Sequence, residues 1–183
     1  MRSARAPERG FTLVELLIVF AIVCVLSSLA AAGYRHSRAK AGEAVAVAGL
    51  QTINQAQFAF AQTCGNQRYS PTLAGLGTPA TTTGRAFISP DMAVDPVVKS
   101  GYQFVLGATP TPDAPTACNG IATVPAYRVT ADPTSQGVSG IQFFGTNTDR
   151  VLYADLATYA GNMPETGAPG HLTRTRPSWI RSY

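Results

Sequence analysis

Three residues near the start of the chain can take part in chemistry together: Gly10, Phe11 and Glu15. Hydrolysis of the Gly10–Phe11 peptide bond would release a charged decapeptide and leave a free ammonium on Phe11. A carboxylate stands four residues further on. Between and beyond them, residues 11–33 are apolar or small apart from Glu15, the one charged side chain in that run. Placing a carboxylate in a bilayer helix costs about 2–3 kcal/mol on insertion scales, and such residues are usually functional and paired. An ammonium at similar depth on a second copy would remove that cost, so the new amine of one chain and Glu15 of its neighbour form a self-complementary pair. The plainer alternative is a carboxylate reaching the headgroups from the first turn.

The elements that must position these groups follow from the apolar pattern. At 1.5 Å rise per residue, a helix over 11–33 spans a hydrocarbon core of about 30 Å. A secretory signal places its apolar core before a small-residue cut site. Here Gly10 stands before the apolar run, behind Arg2, Arg5, Glu8 and Arg9, so a cut after Gly10 keeps the hydrophobic helix on the product. From Tyr34 to Gln62 the sequence turns amphipathic and contains no proline. Ala46, Gly49, Leu50, Ile53, Ala56 and Phe60 fall on one face at helical spacing, with Gln51, Asn54, Gln55 and Gln62 mostly off it. Phe58 and Phe60 read as core residues. The periodicity therefore predicts one helix over 11–62, about 75 Å long, with residues 11–33 suited to lipid and then to a filament core. Cys64-Gly65-Asn66 supplies a C-cap.

The decapeptide GFTLVELLIV, Gly10 to Val19, resembles the processing motif of type IV prepilins and type II secretion pseudopilins. The resemblance is specific over residues 9–29 and weaker through Tyr34. It implies cleavage after Gly10 by a prepilin peptidase, methylation of the Phe11 amine by the same enzyme, and an assembly role for Glu15. It further implies a precursor held once in the inner membrane with its C-terminal domain in the periplasm. An inner-membrane assembly platform would then move the subunit from the lipid bilayer into a homo-oligomeric filament with other pilins, periplasmic or extracellular. The sequence departs from the family at Ala32, where a proline is frequent two residues before the tyrosine, so no proline kink forms there.

Beyond the helix, four prolines between 63 and 100 and the run Thr81-Thr82-Thr83 read as a long connecting loop. Alternation predicts strands over 102–106, 127–130, 141–145 and 151–154. Thr146-Asn147-Thr148-Asp149 marks a hairpin turn between the last two. The expected fold is α+β: a long N-terminal helix, half transmembrane and half amphipathic, packed on a small antiparallel β-sheet. The expected organisation is a leader over 1–10, the helix over 11–62 and a globular region over 63–183.

Composition narrows the function classes. The chain has 183 residues, of which 13% are charged and 45% hydrophobic, enough for one modest core. Half of the net charge of +4 resides in the first ten residues, so the product would be nearly neutral and no nucleic-acid partner is expected. Of three cysteines, Cys24 lies in the apolar run. Cys64 and Cys118 would sit in an exported region and suggest one disulfide. Their spacing does not fix their distance, so two free thiols remain the alternative.

An enzyme is not expected. The two histidines, His36 and His171, have no metal-ligand partners at useful spacing, and no phosphate-binding glycine loop or nucleophile elbow occurs. Asn147 and Asp149 offer oxygens for calcium, but the acidic cluster of an all-protein site is missing, so neither metal nor cofactor is expected. Arg35, His36, Arg38 and Lys40 read as a polar boundary, with anionic lipid headgroups as the alternative partner. The tail carries Arg174, Arg176, Trp179 and Arg181 and reads as a solvated terminus. The competing reading is a minor pilin that presents an adhesive or DNA-binding surface at a filament tip.

Overall fold

A computed structural model describes residues 11–170. The expected cut position Gly10 and the tail residues His171, Arg174, Arg176, Trp179 and Arg181 lie outside the described residues. The order of elements is α1 (Leu13–Thr63), α2 (Leu73–Gly77), a 3-10 turn (Pro90–Met92), β1 (Val97–Lys99), β2 (Tyr102–Gly107), β3 (Arg128–Pro133), β4 (Phe143–Asn147) and β5 (Tyr153–Asp155). The chain divides into two compact units, residues 1–37 and 38–183.

In the first unit the long apolar side chains of α1 between Leu13 and Leu26 are all at least half exposed in the isolated chain. Among the described residues no helix is long and apolar enough to cross a membrane.

The second unit is built where α1 becomes amphipathic. Ala46, Leu50, Ile53, Ala56 and Phe60 recur at helical spacing and are buried, each large one contributing about 1.5–3 kcal/mol on removal from water. They lie in one apolar cluster with Tyr102, Phe104, Leu106, Val129, Ala131 and Phe144 from the sheet. Gly49 permits this packing: a Cβ there would lie 2.7 Å from the Phe104 ring. The sheet is antiparallel throughout, in the order β1-β2-β3-β4-β5, with Phe104 opposite Ala131 and Ala131 opposite Phe144. The expected α+β architecture, helix on antiparallel sheet, is what the chain adopts.

Polar contacts fix the helix on that sheet. The Asn54 amide donates to Thr146 Oγ1 at 2.9 Å, and its carbonyl oxygen accepts from the Tyr127 hydroxyl at 2.9 Å. Buried Glu43 accepts from the backbone N–H of Ile141 at 3.0 Å and from Lys40 Nζ at 2.8 Å. Gln57 pairs in both directions with the backbone of Ser70. Asn54, expected off the buried face, is 6% exposed because two side chains of the sheet satisfy its amide.

The segment 63–100 is more structured than a connecting loop. Thr72 caps α2 through Gly75 N–H, and the Asp95 carboxylate accepts from Leu73 N–H. Strand β1 follows Pro96 and pairs with β2 at the sheet edge, Val97 opposite Phe104. These elements have three to five residues, too short to show a period. At the end of α1 the left-handed conformation falls on Asn66 and Gln67, not Gly65. Gly65 is required for space instead, since a Cβ there would meet Arg68 O at 2.2 Å and the Phe60 ring at 2.7 Å.

Candidate functional site

The N-terminal site starts with Thr12. Its hydroxyl oxygen accepts from Glu15 N–H at 3.2 Å, and its carbonyl accepts from Leu16 N–H at 3.3 Å. Thr12 is thus the N-cap of α1, and Thr12-Leu13-Val14-Glu15 has the spacing of a capping box. This role was not anticipated in the sequence reading, although the Thr-x-x-Glu spacing carries it. The cap places Phe11 outside the helix and exposed, while Glu15 occupies the first turn. A carboxylate there is favoured by the positive end of the helix dipole. Among the described residues the Glu15 carboxylate makes no hydrogen bond or ion pair. The helix therefore presents an exposed acid within an exposed apolar surface, a few residues from the predicted new amine. Cys24, on the same stretch, is a free and exposed thiol.

Cys64 and Cys118 are joined by a disulfide across 54 residues. Cys118 N–H also donates to Cys64 O at 3.0 Å, so the bridge fastens the end of α1 to the excursion between β2 and β3. Of the two alternatives the sequence left open, the bridge is the one present.

The second unit carries a groove absent from the sequence reading. It runs along the outward side of α1 past Val47, Gln51 and Gln55 to Phe58, with Arg150 and Leu152 forming its other wall. Phe58, expected in the core, is 45% exposed, and the Arg150 guanidinium stands 4.7 Å from its ring centre, a cation–π contact. Arg150 sits in the β4–β5 turn with φ +60° and donates its N–H to Asn147 O at 2.8 Å. Only the turn, far in sequence from α1, makes this pair, and no local spacing reports it.

The oxygens considered for calcium are already engaged, that of Asn147 by Asp149 N–H at 3.2 Å within the turn and that of Asp149 by the chain after β5. Asn147 donates to Pro164 O and Gly167 O, and the Asp149 carboxylate accepts from Gly167 N–H. Among the described residues no group of three His, Cys, Asp or Glu is placed to hold a metal. On the outer face of the sheet, Asp132 accepts from the Thr158 hydroxyl while its other carboxylate oxygen is buried without a partner. Burial pushes that carboxyl above its ordinary value despite the Thr158 bond. Burial likewise raises the phenols of Tyr102 and Tyr127, and pushes that of Tyr159 up to about 12.

Comparison with known proteins agrees with the N-terminal geometry. Residues 5–31 match the model of the prokaryotic N-terminal methylation motif. No curated protein and no solved structure gives a significant match to the chain. The family that bears this motif is structural rather than catalytic, and its precursors assemble with other pilins after a prepilin peptidase has acted. A capped apolar helix with one acid in its first turn, directly behind a charged decapeptide, is the element this motif describes. Over residues 5–31 the chain thus carries the prokaryotic N-terminal methylation motif, the signature of the type IV pilin and pseudopilin family.

Proposed function

We propose that the chain is a structural subunit of a type IV pilus or a type II secretion pseudopilus, cut after Gly10 and polymerised through the first part of α1. The single observation that supports this most is the exposed carboxylate of Glu15 on a helix whose every long apolar side chain from Leu13 to Leu26 is exposed. A surface of that kind needs lipid or other protein around it. Before assembly the 23-residue run 11–33 anchors the precursor once in the inner membrane, with the second unit in the periplasm. After the cut, the ammonium of Phe11, carrying one methyl group, pairs with Glu15 of a neighbouring copy. The assembly platform of the inner membrane then draws the subunit from the bilayer into a periplasmic or extracellular filament. The cost of the lone acid in lipid thereby becomes part of the drive toward the polymer.

The test is mass spectrometry of membrane and sheared fractions, with Glu15→Ala alongside the parent chain. The expected N-terminus is methylated Phe11 in both, with filament yield falling at least tenfold in the variant. An intact leader would overturn the processing step, and full filament yield from Glu15→Ala would overturn the pairing.

A further inference from the structure

The groove beside α1 and an excursion elsewhere on the same unit are complementary. From Ala41 to Thr63 the only charged residue of α1 is Glu43, which is buried against the Ile141 N–H. The outward side over these residues is therefore uncharged, where a solvated helix ordinarily carries ions. Its far end holds Phe58 under Arg150, and Arg150 forms no ion pair among the described residues. The groove is thus part apolar, with the Lys40–Glu43 ion pair at one end and one uncompensated cation and one exposed aromatic ring at the other.

The excursion between β2 and β3 has the matching features. Its segment Pro110-Thr111-Pro112-Asp113-Ala114-Pro115 contains three exposed prolines. Asp113 is exposed, held at φ +56°, and makes no hydrogen bond or ion pair among the described residues. Every other described carboxylate of the second unit is engaged. Glu43, Asp91 and Glu165 are in ion pairs, and Asp95, Asp132 and Asp149 accept from backbone or hydroxyl donors. Asp155 accepts from Leu156 N–H. Proline fixes φ, so such a segment loses little conformational entropy on docking, and proline-rich segments suit grooves with an exposed aromatic ring.

We propose that segment 110–115 of one copy docks in the Phe58–Arg150 groove of a second copy, with its prolines against Phe58 and the Asp113 carboxylate on the Arg150 guanidinium. Groove and segment are different patches of one surface, so copies can join head to tail, and within the proposed filament the contact repeats from subunit to subunit. The inference rests on the filament reading and names a lateral contact for it.

Charge exchange in the full chain tests it. Arg150→Asp suits the left-handed position, and Asp113→Lys reverses the opposite partner. Asp113→Asn removes the charge with little change of shape. Sheared filament yield is measured together with the mature N-terminus and the Cys64–Cys118 bridge, which report processing and folding. Each reversal is expected to lower yield at least fivefold, Asp113→Asn about two- to threefold, and the double exchange to restore most of the loss. Unchanged yield in the single variants, or a double exchange no better than either, overturns the contact while leaving the filament reading intact. A parent chain that is cut but never polymerises overturns both.

Discussion

Replacing Asn54 by leucine removes two buried hydrogen bonds at once, those to Thr146 Oγ1 and from the Tyr127 hydroxyl, each 2.9 Å long. Both partners are fully buried at 0% exposure, so neither hydroxyl can turn to water. An orphaned buried donor or acceptor costs about 1–3 kcal/mol, so two give about 2–6 kcal/mol. The leucine recovers about 1–2 kcal/mol by transfer, leaving a net loss of about 3 kcal/mol. With an m-value of about 2 kcal/mol/M in urea, the midpoint falls by about 1.5 M with an unchanged slope. The assay is a urea titration of the processed full chain in detergent, followed by the near-UV dichroism of the buried tyrosines. The companion variant Asn54→Leu/Tyr127→Phe/Thr146→Val removes both orphans and is expected to regain most of the loss, because replacing all partners of a buried network can be nearly neutral. A triple variant no more stable than the single one refutes the reasoning, as does a single variant within 0.5 kcal/mol of the parent, a margin typical of inert surface changes.

Two further outcomes follow from the same unit. Cys64→Ser/Cys118→Ser opens a loop closed across 54 residues, for which chain entropy gives about 4 kcal/mol, so the urea midpoint is expected to fall by about 2 M. A shift below about 0.5 M would show that the bridge adds little to a helix end already held by Phe60. The carboxyls of Asp95 and Asp132 are raised above 3.8 by burial, so the folded chain binds their protons more tightly than the unfolded chain does. Their contribution is therefore most favourable below pH 3.8 and declines as pH rises through the raised values. Asp132→Asn is expected to flatten that decline in a pH series of urea midpoints, and an unchanged slope would remove Asp132 as its source.

What could be read from the sequence was what repeats. The face Ala46, Leu50, Ile53, Ala56 and Phe60 is spelled out at helical spacing, and strands β2 to β5 show enough alternation to be found within two or three residues of their observed ends. The turn 146–149 was equally legible, since the Asn147 side chain accepts from the backbone N–H two residues on, at Asp149. Strand β1 was not, because three residues behind a proline at a sheet edge carry no alternation. Asn54 and Phe58 were misplaced for a shared reason. Helical phase says which residues share a side, but not what the opposing layer offers. The sheet supplies Thr146 and Tyr127 to Asn54, and the β4–β5 turn supplies Arg150 to Phe58. At the N-terminus, Gly10, Phe11 and Glu15 stood out as candidates because their neighbours are so uniform, whereas the cap at Thr12 was passed over beside the more conspicuous acid.

The Cys64–Cys118 bridge also bears on the order in which the molecule is completed. The excursion that carries Asp113 is held by more than β2 and β3: Asn119 donates to Gly75 O and Thr78 O, and Tyr69 and Val124 exchange backbone hydrogen bonds, while the sulfurs add the covalent tie to the end of α1. A copy in which the sulfurs are reduced keeps those polar contacts and lacks the covalent link alone. On the filament reading proposed above, oxidation after export would add the last fastening to the excursion that presents Asp113.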